Sequence, residues 1–121
     1  MHNSTVLVVD DVPIVLSLVT RYLEDAGFTV IGAKDGVLGL AAYRQHSSVI
    51  NLVLTDVEMP NMRGTEMADR VLLESPGLPV LFMSGNGSPD RGCGCVSKPF
   101  RSAELLARVR RALEPQSVLI S

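Results

Sequence analysis

The chain predicts an α/β fold, a doubly wound five-stranded parallel sheet with helices on both faces, and three observations carry that prediction. Short apolar, β-branched runs alternate with segments of helical periodicity from one end of the chain to the other. The runs are continuously apolar rather than alternating, which suits strands buried on both faces of a parallel sheet. Charged residues stand where the runs stop: Asp10 and Asp11 after Thr5-Val6-Leu7-Val8-Val9, Asp56 after the run 49–55, and Lys98 after Cys95-Val96-Ser97. Neighbouring parallel strands would bring these groups to one carboxyl edge, where open α/β sheets bind ligands.

Each element follows from local signals. Residues 5–9 form the first strand. Pro13 opens a helix, since its missing N–H costs nothing in a first turn. Val15, Leu18, Val19, Tyr22, Leu23 and Ala26 recur at helical spacing, and Gly27 closes that helix. Phe28-Thr29-Val30-Ile31 reads as the second strand. Asp35-Gly36 is a turn signal, followed by a helix carrying Val37, Leu40, Ala41 and Tyr43. Residues 50–55 form the third strand and 59–64 a loop punctuated by Pro60 and Gly64. Thr65 to Leu73 is helical, with Met67, Ala68, Val71 and Leu72 inward, until Ser75-Pro76-Gly77 stops it. Pro79 to Met83 is the fourth strand. Gly85, Gly87, Pro89, Gly92 and Gly94 make residues 85–94 mostly loop. Cys95 to Ser97 is a short fifth strand. Ser102 caps a last helix with Leu105, Leu106, Val109, Ala112 and Leu113 on one face.

Size and composition narrow the function. The 121 residues fit one domain, 1–121, with a core at about 4–114 and a tail at 115–121. A net charge of −2 gives no reason to expect nucleic acid or membrane as a partner. No apolar run approaches a membrane span, and Met1-His2-Asn3-Ser4 has no secretory character, so a cytoplasmic protein is expected. Cys93 and Cys95 are too few for a disulfide framework and lack the partners of a zinc set. Carboxylates gathered at a strand edge repel one another, and a hard divalent cation such as Mg2+ relieves that repulsion through oxygen ligands.

Four motifs occur in order: Asp10-Asp11, then Asp56-Val57-Glu58-Met59-Pro60-Asn61-Met62-Arg63-Gly64, then Met83-Ser84-Gly85, then Lys98-Pro99-Phe100. Through them the chain resembles the receiver domains of two-component response regulators, over roughly residues 4–114. Its Val80–Gly85 string is most similar to receivers of hybrid histidine kinases. The resemblance implies a flavodoxin-like strand order 2-1-3-4-5. It also implies a signalling switch in which Asp56 takes a phosphoryl group from a phosphohistidine, with Mg2+ as cofactor. Asp10, Asp11, a carboxylate oxygen of Asp56 and the backbone carbonyl of Glu58 would hold the metal, Asp11 directly and Asp10 partly through water. Lys98 would pair with Asp56 and then with the phosphoryl oxygens, and Pro99 would follow a cis peptide. Ser84 would donate its hydroxyl, and Gly85 its N–H, to the phosphoryl group. Glu58 and Asn86 would flank that group and modulate its loss. The partners implied are a histidine kinase or phosphotransfer protein and an unidentified downstream protein, reached by protein–protein contact. A homodimer stays open.

Two departures accompany the resemblance. Cys95 stands where receivers carry an aromatic ring, which puts the usual coupling of ring and hydroxyl in question. The segment between Ser84 and Lys98 is about one to two helical turns short, so the fourth helix is expected to be shortened or missing. These departures keep a second function in view, a phosphorylation-independent interaction module, beside a phosphate relay or sink. An aspartyl phosphohydrolase is a third, disfavoured because Glu58 stands where such enzymes want Asp. The protein is otherwise expected to catalyse only its own phosphorylation and dephosphorylation.

Overall fold

The computed structural model describes residues 4–85 and 94–114. Five parallel strands, β1 (Thr5–Val9), β2 (Thr29–Ala33), β3 (Ile50–Asp56), β4 (Val80–Ser84) and β5 (Gly94–Ser97), lie in the order β2-β1-β3-β4-β5. Helices α1 (Pro13–Asp25) and α4 (Ser102–Ala112) cover one face, and α2 (Gly36–His46) and α3 (Gly64–Glu74) cover the other. No helix among the described residues is long and apolar enough to cross a membrane.

The sandwich explains the unbroken apolar strands. Along β1, Leu7 and Val9 face α2 and α3, while Val6 and Val8 face α1 and α4, and all four are fully buried. In β3 the alternation slips once. Thr5 pairs with Ile50 but Val6 pairs with Leu52, so Asn51 is an extra residue and Ile50 and Leu52 point to opposite faces. The exposed Asn51 side chain repairs the ladder there, its Oδ1 accepting the Thr5 N–H at 2.8 Å.

The structure moves several expected boundaries and faces. The second strand is Thr29–Ala33, not 28–31: the Phe28 N–H is held by the Leu23 carbonyl behind α1, and Ala33 pairs with Val9. Leu18 is exposed, and Leu16 packs inward in its place. On α2, Val37 and Ala41 face outward, and Gly36, Gly39, Leu40 and Tyr43 face the core. Glycine sets that phase, since a Cβ at Gly39 would lie 2.7 Å from Met67 Sδ and 2.9 Å from Val9 Cγ2. Ser102 is the first residue of α4 rather than its cap. The cap is Arg101, whose N–H is taken by the Glu104 carboxylate at 2.9 Å. Asn86, Cys93, the expected shortened fourth helix and the tail 115–121 lie outside the described residues, as does the Cys95 side chain.

Candidate functional site

Parallel register brings the charged strand ends together. Val9 pairs with Thr55, Asp56 with Met83, and Ser84 with Ser97, so the residues that follow β1, end β3 and β4, and follow β5 meet at one edge. One carboxylate oxygen from each of Asp10, Asp11 and Asp56 lies within 4.8 Å of the other two. Lys98 Nζ stands 3.3 Å from Asp10 Oδ2 and 3.3 Å from Asp56 Oδ1.

The members of this cluster are held differently. Asp10 is fully buried, its N–H donates to the Ala33 carbonyl, and its Oδ1 accepts the Val12 N–H at 2.9 Å. That last bond serves the start of α1, because Val12 offers no side-chain cap of its own. Asp11 is only partly buried. Asp56 is buried at the end of β3, with Oδ1 accepting the Val57 N–H at 2.9 Å. Burial pushes the Asp56 carboxyl above the ordinary carboxylate range, Lys98 draws it back down, and the Asp10 charge pushes it up again. Ser84 is buried at the end of β4, followed by an exposed Gly85. The Ser84 carbonyl accepts the Lys98 N–H at 2.9 Å, which ties the lysine to the neighbouring strand, and the Lys98-Pro99 peptide is cis.

The loop after Asp56 is built by close backbone approach. A Cβ on Gly64 would lie 1.9 Å from the Asp56 carbonyl oxygen, so only glycine lets α3 begin there. That carbonyl also accepts the Thr55 hydroxyl at 2.9 Å, and the Gly64 N–H donates to the Val57 carbonyl at 2.8 Å. Asn61 adopts a left-handed φ of 71° at the loop apex and donates to Asp35 at 3.3 Å. The Glu58 side chain is exposed and paired with Arg63 at 2.6 Å. Thr55 and Arg63 stand inside motifs legible in the sequence, but nothing there gives either a role. Gly64 was visible as punctuation, but an Arg five positions from a Glu inside a loop follows no helical or strand period.

The donor set suits a hard cation. Three carboxylates and one ammonium leave two negative charges in excess, and every donor is oxygen. A family model, the response regulator receiver domain, matches residues 6–110. The chain belongs to that family. It is a two-component receiver domain, a signal-transduction module, with the acidic pocket such receivers use for Mg2+.

The receiver is 34% identical to the DNA-binding response regulator MtrA of Mycolicibacterium smegmatis over 89% of its own length and 50% of MtrA. It is 30% identical to the sensor kinase CckA of Brucella abortus over 94% of its length and 13% of CckA. The chain spans about half the length of the first curated relatives it matches. Among solved structures, the Vibrio cholerae chemotaxis response regulator CheY4 superposes with a TM-score of 0.85 at 31% identity, covering 93% of this chain and all of that one. The CheY of a CheX–CheY–BeF3–Mg complex from Borrelia burgdorferi superposes with a TM-score of 0.87 at 26% identity, covering 93% and 90%.

Proposed function

We propose that this receiver accepts a phosphoryl group on Asp56 from a phosphohistidine and signals by protein–protein contact. The observation that carries the proposal is the meeting of Asp10, Asp11 and Asp56 with Lys98 at one sheet edge. A carboxylate oxygen of Asp56 attacks phosphorus, the O–P bond forms as the donor's N–P bond breaks, and the imidazole leaves with the electron pair. Phosphoryl transfer asks mainly for alignment and charge neutralisation. Burial at the strand end and the Val57 N–H orient Asp56. Lys98, shared between two carboxylates, can follow the new negative charge as a mobile point charge. The Ser84 hydroxyl and the Gly85 N–H donate to the phosphoryl oxygens.

Asp10, Asp11, Asp56 and the Glu58 carbonyl would hold Mg2+, which when bound neutralises phosphoryl charge. Water attack at phosphorus later breaks the O–P bond and restores the carboxylate. Asn86 and Cys95 belong to this reading as modulators of the loss and of the switch. The phosphorylated state shifts an equilibrium between loop arrangements. Residues 1–121 act as one domain in the cytoplasm, with a histidine kinase or phosphotransfer protein as donor.

The test is intact-protein mass after incubation with acetyl phosphate and Mg2+. One added phosphoryl group is expected on the wild-type chain, and none on Asp56→Asn or in chelator. No addition to the wild-type chain, together with no binding of beryllofluoride, overturns the proposal in favour of an interaction module that does not use phosphorylation.

A further inference from the structure

Glu58 is two residues from Asp56, yet its carboxylate is not among those that gather at the strand edge. It is held instead by the Arg63 guanidinium at 2.6 Å, across the loop that both residues bound. That loop is also held at its apex and at its far end. Gly64 is pressed against the Asp56 carbonyl and Asn61 is tied to Asp35, so the backbone under the pair has little freedom. The side chains, by contrast, are more than half exposed and could swing.

We infer that Arg63 is a positioning residue that keeps the Glu58 carboxylate out of the divalent-cation site, and thereby sets the site's preference for Mg2+ over Ca2+. The inference rests on the proposed metal site. With Glu58 held, the cation meets three carboxylates, a carbonyl and water, a sparse oxygen set that suits the small, tightly hydrated Mg2+. With Glu58 released, a fourth carboxylate becomes available two residues from the site. Ca2+ takes more oxygens in a looser geometry, bidentate carboxylates included, and gains more from that extra ligand than Mg2+ does. The same release adds a negative charge where a phosphoryl donor must approach, so the pair also protects entry of the anionic substrate.

The experiment is calorimetric titration of Mg2+ and of Ca2+ into the full chain and into Arg63→Met, Arg63→Lys, Glu58→Ala and the Glu58→Ala/Arg63→Met double variant, alanine leaving no side-chain oxygen to bind Ca2+. The readout is the ratio of the two affinities. Loss of the Arg63 charge acts at a distance on both dications alike and leaves the ratio unchanged, whereas recruitment of a carboxylate ligand moves it. Arg63→Met is expected to shift the ratio toward Ca2+ by about tenfold, the low end for changes behind a metal's direct ligands. Arg63→Lys and the double variant are expected to restore it. Equal tightening of both ions, an unchanged ratio, or a shift that persists in the double variant would each overturn the inference while leaving the metal site intact. Failure of the wild-type chain to bind either cation would remove the metal site and the inference together.

Discussion

The two faces of the sheet are filled by different means. On the α1/α4 face the contact layer is side chain against side chain: Val19 and Leu23 from α1, and Leu105 and Val109 from α4, meet Val6, Val8, Leu52, Leu54, Leu81 and Met83. On the α2/α3 face the backbones themselves come close. Gly36 lies against the Met62 carbonyl and Gly64 against the Asp56 carbonyl, while the Gly39 backbone lies against the side chains of Val9 and Met67. Polar ties accompany that approach, with Tyr43 bonded to Ser75, Arg44 to Glu74 and Asn61 to Asp35. A side-chain layer tolerates repacking, whereas a backbone contact has no rotamer to give. The face that tolerates least is the one that carries the loop after Asp56, so the site inherits its rigidity from α2 and α3.

The sharpest way to break this contrast is a pair of substitutions, one per face. Gly64→Ala puts a methyl group where the Asp56 carbonyl stands and should cost about 3 kcal/mol or more. It should also slow phosphoryl uptake at least tenfold at temperatures where the variant is folded. Leu105→Ala on the other face should cost a similar amount, about 2–5 kcal/mol, through its cavity, and leave uptake within about twofold of wild type. Denaturant melts paired with uptake rates measure both, and equal uptake defects would erase the distinction between the faces.

Cation binding comes next. At a hundredfold excess over its Kd, Mg2+ should add about 2.7 kcal/mol to stability. Amide exchange should report that gain first in residues 57–64 and α3, and less in α4. Equal protection of α3 and α4 would show a site coupled to the whole sheet.

A smaller effect follows from Asp56. Burial raises its carboxyl in the folded chain, so the folded state binds the proton more tightly than the unfolded state does. Stability from this group is therefore complete below the ordinary Asp range and is lost as pH rises through the higher folded value. Without Mg2+, Asp56→Asn should melt above wild type at neutral pH, with the difference shrinking as pH falls below the ordinary Asp range. A difference that grows toward acid would reverse the sign and refute the account. The smallest change is expected from Arg44→Met. Its ion pair with Glu74 joins α2 to α3 but is exposed, so the melting temperature should stay within about 2 °C of wild type.

Much of this site is legible in the residues alone. Asp10, Asp11, Asp56 and Lys98 follow apolar runs, and a parallel sheet has one carboxyl edge at which such residues gather. The strands are legible because burial on both faces demands continuous apolar residues. The inward faces of α1 and α2 were less so. Leu18 and Val37 are apolar and correctly spaced for a helix, yet both are exposed. Periodicity gives a helix its stripe but leaves the phase of the stripe to whatever approaches it, and on α2 that was Val9 and Met67 reaching Gly39.

Order along the chain determined the alternation of strand and helix, the fold and the identity of the charged strand ends, because each depends on local periodicity or on the direction of a parallel strand. Tertiary structure alone decided that Lys98 reaches Asp10 as well as Asp56, that Gly64 packs on the Asp56 carbonyl, and that Arg63 pairs with Glu58. Those contacts are fixed by distances of a few ångströms between segments whose spacing in sequence carries no period, and only the packed chain sets such distances.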